Sequence, residues 1–380
     1  MLKKLIKMRK ILIPFLPLIF AFIFNEYFIY HFVIGRCSWP KMSTTKNHES
    51  EYTNVMILAD THLLGVKNGH WFDKLRREWQ MRRSFQTAIS WLSPDAVFFL
   101  GDLFDEGQWA DDQQFDIYAT RFDALFHVPE TIKRFVAVGN HDIGFHYALM
   151  PHHLDRFSRR FNIDPTVGYV NIGGNHFIVI NSMALEKDGC KLCHQAEETI
   201  KELKEKFDCA FSQDCEEKLP GGYSRPIIMQ HFPLYRKNDE VCEFENDLAP
   251  PSLRSEPFRE KWECISQEST DFLVKSLRPR AAFGGHSHFT CSKFWEAPYN
   301  FWEYTISSFS WRNNRWPSFL LLKVSPQELK VQKCHLPHEH TVIWIYALAT
   351  LLSISVLFIQ FFLWSKTRTF SFKRISTKIS

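Results

Sequence analysis

Val55-Met-Ile-Leu-Ala59-Asp60-Thr-His62 is an unbroken apolar run that stops on a carboxylate and an imidazole. An apolar run of strand length without alternation is the pattern of a strand covered on both faces. Its polar exit puts two side chains of metal-ligand type where the chain leaves the sheet. The same order recurs downstream. Ala96 to Leu100 ends in Gly101-Asp102-Leu-Phe-Asp105, residues 135–138 in Gly139-Asn140-His141-Asp142, residues 226–230 in His231, and residues 281–283 in Gly284-Gly285-His286-Ser-His288.

Working outward, residues 177–180, 301–306 and 319–324 are further strand-like runs, while 72–92 and 111–126 read as helices between the early strands. That alternation predicts an α/β domain. In an open α/β sheet the C-terminal ends of parallel strands converge on the ligand crevice, so residues far apart in sequence can meet there. Gly101, Gly139, Gly284 and Gly285 stand where the chain must turn out of a strand close to a ligand. Alone, an Asp after a strand is ordinarily a turn or cap residue, and a His beside an apolar run is ordinarily packed or solvated. Clusters at one strand exit after another are not what turn chemistry produces, and together they read as a metal centre.

Asp60-Thr-His62, Gly101-Asp102-Leu-Phe-Asp105, Gly139-Asn140-His141-Asp142, His231 and Gly285-His286-Ser-His288 resemble the signature of the calcineurin-like metallophosphoesterases, in the family's order and with no motif missing. The resemblance covers residues 53–334 and implies a sandwich of two mixed β-sheets flanked by helices, with two divalent metal ions at the strand ends. Carried over position by position, Asp60, His62 and His288 would hold one metal, Asn140, His231 and His286 the other, and Asp102 would bridge them. His141 would act on the leaving oxygen, and Asp105 would orient it. Mixed carboxylate, amide and imidazole donors suit Mn²⁺, Fe or Zn²⁺ better than Ca²⁺. Glu106 and Asp142 stand where the family's protein serine/threonine phosphatases carry Arg and Glu, and Leu103 where purple acid phosphatases carry a tyrosine ligand. Neither branch is favoured.

The net charge of +4 is small for 380 residues, and basic residues gather at the two ends, so no nucleic-acid partner is indicated. The 36 Phe and 12 Trp suggest that part of the chain meets lipid. Residues 342–364 form an uncharged run long enough to cross a hydrocarbon core, and residues 11–34 a second, weaker one, read as an uncleaved signal anchor with a cleaved signal peptide as the alternative. Lys3, Lys4, Lys7, Arg9 and Lys10 precede the first span, and Lys366, Arg368, Lys373, Arg374 and Lys378 follow the second. Tails 1–10 and 365–380 are therefore expected in the cytoplasm, with the domain 50–334 lumenal. Nine cysteines suit an oxidising lumen, the odd number leaving one free or paired between chains. Cys190, Cys193, Cys209 and Cys215 could instead form a zinc knuckle, although their spacing is unusual for one. Segments 185–222, expected to be helical over 196–207, and 236–267 look inserted. Solvated decoration is expected of most of their residues, with lids or substrate-binding loops as the alternative.

With both anchors counted, the whole chain is similar to a two-pass member of the family from the early secretory pathway. That resemblance implies a Mn²⁺-dependent phosphodiesterase that removes an ethanolamine-phosphate side branch from the glycan of GPI anchors. GPI-anchored proteins and membrane lipid would be its partners, and transport-cargo receptors would contact it at endoplasmic-reticulum exit sites, the intermediate compartment and the Golgi. A general lumenal phosphatase or pyrophosphatase, and a non-catalytic receptor on the same fold, are the other readings.

Overall fold

The computed structural model describes residues 12–42, 52–212, 215, 218–243 and 247–376. Basic residues Lys3, Lys4, Lys7, Arg9, Lys10 and Lys378 lie outside them. The chain divides into a unit Ile34–Leu336 and a second unit formed by its two ends.

In the first unit the strands are β1 (Thr53–Leu58), β2 (Ala96–Leu100), β3 (Lys133–Ala137), β4 (Val167–Ile172), β5 (Asn175–Ile180), β6 (Ile227–Gln230), β7 (Ala281–Gly284), β8 (Cys291–Trp295), β9 (Phe301–Thr305), β10 (Ser318–Val324) and β11 (Leu329–His335). One sheet has the order β11-β10-β1-β2-β3 and the other β4-β5-β6-β7-β9-β8. Both are mixed. β1, β2 and β3 run parallel, with Val55 opposite Ala96 and Phe98 opposite Phe135, whereas β10 runs antiparallel to β1. β5, β6, β7 and β9 are parallel in the second sheet. The two sheets share one apolar core: Val55, Ile57 and Phe98 from the first meet Phe177, Ile227, Met229 and Phe283 from the second. Phe98 and Phe177 have ring centroids 5.2 Å apart. Burying a side chain of that size contributes roughly 1.5–3 kcal/mol, which explains why these strands are apolar at nearly every position.

Helix Trp71–Leu92 begins with the His70 ring accepting from the Phe72 amide, and ends on Ser93 in the left-handed conformation. Helix Asp112–Leu125 is capped by the Asp111 carboxylate, which accepts from the Gln114 amide. Both helices bring phenylalanines onto β2: Phe99 packs against Phe122 at 5.0 Å and Phe126 at 5.2 Å, and Phe85 meets Phe126 at 5.2 Å. Much of the phenylalanine excess is thus core of this domain rather than lipid-facing surface.

The expected insert at 185–222 contains a helix, Lys191–Ser212, longer than the predicted 196–207. Its ends are tied by the disulfides Cys190–Cys193 and Cys209–Cys215, not by a zinc knuckle. Cys37–Cys334 and Cys242–Cys291 are the other pairs, and Cys264 is a buried free thiol. In segment 236–267 most of the described residues are exposed, as expected of solvated decoration, but the segment also sends an anchor into the core. Its Arg236 is fully buried, paired with Asp239 at 2.7 Å and donating to the Thr305 hydroxyl at 3.0 Å.

In the second unit, Ile13–Ile34 and Glu339–Lys366 are helices long and apolar enough to cross a membrane, which suggests a membrane protein. They meet through polar groups: Asn25 donates to the Val342 carbonyl at 3.1 Å, and the Tyr346 hydroxyl donates to Glu26. The Glu26 that interrupts the first apolar run therefore has a partner on the other helix, as polar groups in membrane spans commonly do.

Candidate metal centre

Every strand that feeds the cleft delivers its expected ligands in the turn just past its C-terminal end. The chain leaves β1 through Asp60 and His62, β2 through Asp102, β3 through Asn140, β6 through His231 and β7 through His286 and His288. Asp60, His62, Asp102, His286 and His288 all have left-handed φ, between 43° and 70°. A non-glycine residue in that region costs on the order of 1–3 kcal/mol, and such strain gathers at functional sites. Here it turns each ligand back over the sheet edge. Close packing adds to the constraint: a Cβ on Gly101, itself at φ +82°, would come within 2.6 Å of the His231 ring, and one on Gly285 within 2.7 Å of the Asp60 carboxylate. Gly284 lacks both constraints; its nearest neighbour would lie 3.4 Å away.

All seven expected ligands are brought together. The ligand atoms of Asp60, His62, Asp102 and His288 lie within 4.8 Å of one another, as do those of Asp102, His231 and His286. Asp102 belongs to both groups. Its Oδ2 lies 3.5 Å from His62 Nε2 and 3.2 Å from His231 Nε2, while Oδ1 accepts from the His141 amide at 2.8 Å. Asn140 Oδ1 reaches His231 Nε2 at 3.1 Å and completes the second group. Across the first, His62 Nε2 and His288 Nε2 stand 3.0 Å apart, each 3.8 Å from Asp60 Oδ1.

The groups behind the imidazoles select their tautomers. His231 Nδ1–H donates to the Leu100 carbonyl at 2.7 Å, and His286 Nε2–H to the Trp262 carbonyl at 2.6 Å. A carbonyl only accepts, so the other ring nitrogen of each faces the cluster, as a lone pair on His286. Burial opposes protonation of His231, but Asp102 prevails and raises it to about 9, so its Nε2 carries a proton that a bound cation would displace. His62 Nδ1 faces the Asp105 carboxylate at 3.4 Å, as a charge contact rather than an aligned hydrogen bond. Burial lowers His62, His286 (to about 3) and His288, keeping those rings neutral and able to coordinate. Burial, with the Asp102 charge adding and His231 opposing, raises Asp60 to about 8. Burial would also raise Asp102, but His231, His141 and His62 outweigh it and hold it well below the carboxylate range. Buried carboxylates beside oriented imidazoles form a donor set that fits two divalent cations sharing Asp102.

His141 stands apart from the ligands. Its Nδ1–H donates to the Asp105 carbonyl at 2.9 Å, and its ring lies edge-on to His62 with centroids 4.8 Å apart. Burial opposes its protonation, but Asp102 and the Asp105 contacts prevail and raise it. Asp105 therefore holds His141 mainly through its main chain, at 2.9 Å against 3.8 Å for the carboxylate, while that carboxylate lies nearer His62.

Several residues around the ligands carry no expectation from sequence. Arg312 is ion-paired with Asp105, Asn313 Nδ2 lies 3.3 Å from His288 Nε2, Asn314 donates to the His288 carbonyl at 2.6 Å, and the Ser308 hydroxyl donates to the Asp60 carbonyl at 2.7 Å. All follow β9, which is parallel to β7, so its exit opens on the same cleft. The run Arg312-Asn313-Asn314 was the available signal. Asp142 is a cap: its carboxylate accepts from the Gly139 and Phe104 amides at 2.9 and 3.1 Å. Glu106 accepts from the Lys67 and Asn68 amides at 2.9 and 2.6 Å. The two departures from the phosphatase pattern are thus loop anchors.

Residues 53–289 match the calcineurin-like phosphoesterase family. The chain is 43% identical over 348 residues to Metallophosphoesterase 1 of Gallus gallus, covering 88% of this chain and 86% of that one. It is 42% identical over 356 residues to the Metallophosphoesterase 1 homolog of Drosophila melanogaster (93% and 94%), and 40% identical over 373 residues to that of Caenorhabditis elegans (97% and 96%). With the donor set, the fold and these relatives in agreement, the chain belongs to the calcineurin-like phosphoesterase family and is a metal-dependent phosphoesterase.

Proposed function

We propose that the protein is a Mn²⁺-dependent phosphodiesterase of the early secretory pathway that removes an ethanolamine-phosphate side branch from the glycan of GPI anchors. The observation that carries this reading is a full binuclear donor set in a domain flanked in sequence by two helices able to cross a membrane. A substrate held in the membrane by its own lipid suits that arrangement. The Metallophosphoesterase 1 homolog of Caenorhabditis elegans aligns over 97% of this chain, a share that takes in both end helices. The substrate would reach the enzyme on GPI-anchored proteins in the lumen, with transport-cargo receptors as further partners.

Asp60, His62 and His288 would hold one cation, Asn140, His231 and His286 the other, and Asp102 both. The chemistry supplied by two bound divalent cations is neutralisation of the phosphoryl oxygens and acidification of the attacking water. The protein's own part is orientation and proton transfer. Carbonyls of Leu100 and Trp262 fix the tautomers of His231 and His286. His141 is pinned through Nδ1, so its Nε2 is the atom that gives a proton to the departing alcohol oxygen. A raised His141 favours the protonated form needed for that step.

Mass spectrometry of GPI glycans from cells lacking the protein tests the reading: the ethanolamine-phosphate branch should be retained. An unaltered glycan profile would overturn it. Comparison of bis- and mono-p-nitrophenyl phosphate separates a diesterase from a general phosphatase, which would favour the monoester.

A further inference from the structure

We propose that an apolar rim on the loops leaving β1 and β2 docks on the bilayer surface and holds the mouth of the metal centre against lipid. Past Asp60 and His62, the first loop exposes Val66 (64%) and then Trp71 (68%), Phe72 (53%) and Leu75 (60%) at the start of helix Trp71–Leu92. The second, past Asp102 and Asp105, exposes Trp109 (52%). A soluble surface rarely groups so many large apolar side chains without a partner. Trp71 and Phe72 touch edge to face at 5.7 Å, and Lys67 Nζ lies 5.4 Å from the centre of the Trp109 ring, joining the two loops.

The rim is fixed to the metal motifs rather than hung from a mobile strap. Leu63 and Asp105 exchange main-chain contacts with the neighbouring loop, Leu63 N–H to the Leu103 carbonyl at 2.9 Å and Asp105 N–H to the Leu63 carbonyl at 3.0 Å. The buried Glu106 carboxylate, one residue past Asp105, accepts from the amides of Lys67 and Asn68. The Val66 amide donates to the Tyr118 hydroxyl at 3.0 Å. Whatever Trp71 and Phe72 rest on is therefore positioned relative to Asp60, His62 and Asp102.

The occupant is lipid for two reasons. Tryptophan and phenylalanine beside lysine is the composition of the membrane interface, with rings at headgroup level and ammonium groups among the phosphates. Lys67 and Lys74 supply those charges. Helices able to cross a membrane flank this domain in sequence on both sides, so a bilayer is always within reach. Lipid contact here needs no particular substrate, so the inference stands or falls independently of the glycan reading.

The test uses the full chain, metal-loaded, in phosphatidylcholine vesicles. Cys264 is buried and is the one free thiol among the described residues, so an NBD fluorophore attaches selectively at Trp71→Cys. A control label at Trp91→Cys sits 20 residues along the same helix, about 30 Å away at 1.5 Å per residue. Doxyl-labelled lipid should quench position 71 at least about threefold more than position 91, as an interfacially buried aromatic requires. Replacing Trp71 and Phe72 together by serine should lower the ratio of hexadecyl to ethyl p-nitrophenyl phosphate hydrolysis about fivefold or more, because only the hexadecyl diester is held at the surface. Equal quenching at the two positions, none at 71, or an unchanged ratio overturns the proposal. Shielding of position 71 that depends on protein concentration and not on lipid would assign the rim to a second copy of the chain, and overturns it equally.

Discussion

Asp102 is the side chain with the least freedom to change. Its Oδ2 faces His62 on one side and His231 on the other, and its Oδ1 is spent on the His141 amide. An amide in its place offers one acceptor oxygen and no charge, so it cannot serve both halves of the cluster. Asp102→Asn should abolish turnover and lower metal content, with the fold kept. Activity above about a tenth of wild type, a barrier change under roughly 1.4 kcal/mol, would sink the bridging role. His141 is the complementary case, since it touches the Asp105 carbonyl and no cluster oxygen through its ring. His141→Ala should retain both metals by elemental analysis and lose on the order of 10²-fold or more in rate; loss of metal together with rate would make it a ligand. At this scale the sequence was informative because each ligand type stands at the end of an apolar run. The carbonyls of Leu100 and Trp262 were not legible, because any residue supplies a carbonyl. Nor was the left-handed backbone of Asp60, His62, Asp102, His286 and His288, since no glycine marks those positions.

At the scale of elements, the strands that went unread share one property. β4, β8 and β11 are the missing ones, and each is an edge: β11 closes the first sheet, β4 and β8 the second. An edge strand keeps one side toward water and is commonly defended by polar or charged residues, so it lacks the continuous apolar run that reveals a central strand. Leu329-Lys-Val-Gln-Lys-Cys-His335 and Cys291-Ser-Lys-Phe-Trp295 show that pattern. Central β1, β2, β6 and β7 were legible because both faces are buried. Loops are harder still, as Glu106 illustrates. A buried carboxylate one residue past Asp105 invites a catalytic reading, yet it accepts from two amides of the neighbouring loop. Glu106→Ala leaves those amides without their acceptor and should destabilise the protein by roughly 1–3 kcal/mol in urea titration while both metals stay bound. Metal loss without a stability change would instead place Glu106 among the ligands' supports.

At the scale of the whole molecule, the disulfides and the two end helices belong to one argument about which side of a membrane the cleft faces. Cys37–Cys334 ties the beginning of the catalytic unit to its end across 297 residues, and Cys242–Cys291 fastens the 236–267 segment to β8. Such pairs persist in oxidising compartments, which for a membrane protein means the lumenal or extracellular side. We propose the same arrangement from the basic residues flanking the spans, which would put both tails on the cytoplasmic side. Protease added to sealed microsomes should then remove epitopes at both termini and spare the segment from Asp60 to His288. Digestion of that segment would put the cleft in the cytosol and end the GPI reading, metal centre notwithstanding. Truncation before Val342 carries the same argument to function. A glycan tethered to the lumenal leaflet by its own lipid stays close to the membrane, and an enzyme anchored in that membrane meets it at an effective concentration set by geometry rather than by diffusion through the lumen. The truncated protein should hydrolyse a small soluble diester as well as the full chain does, yet act more slowly on GPI-anchored proteins in membranes. Equal rates on the membrane-borne substrate would mean that the second span contributes nothing to catalysis.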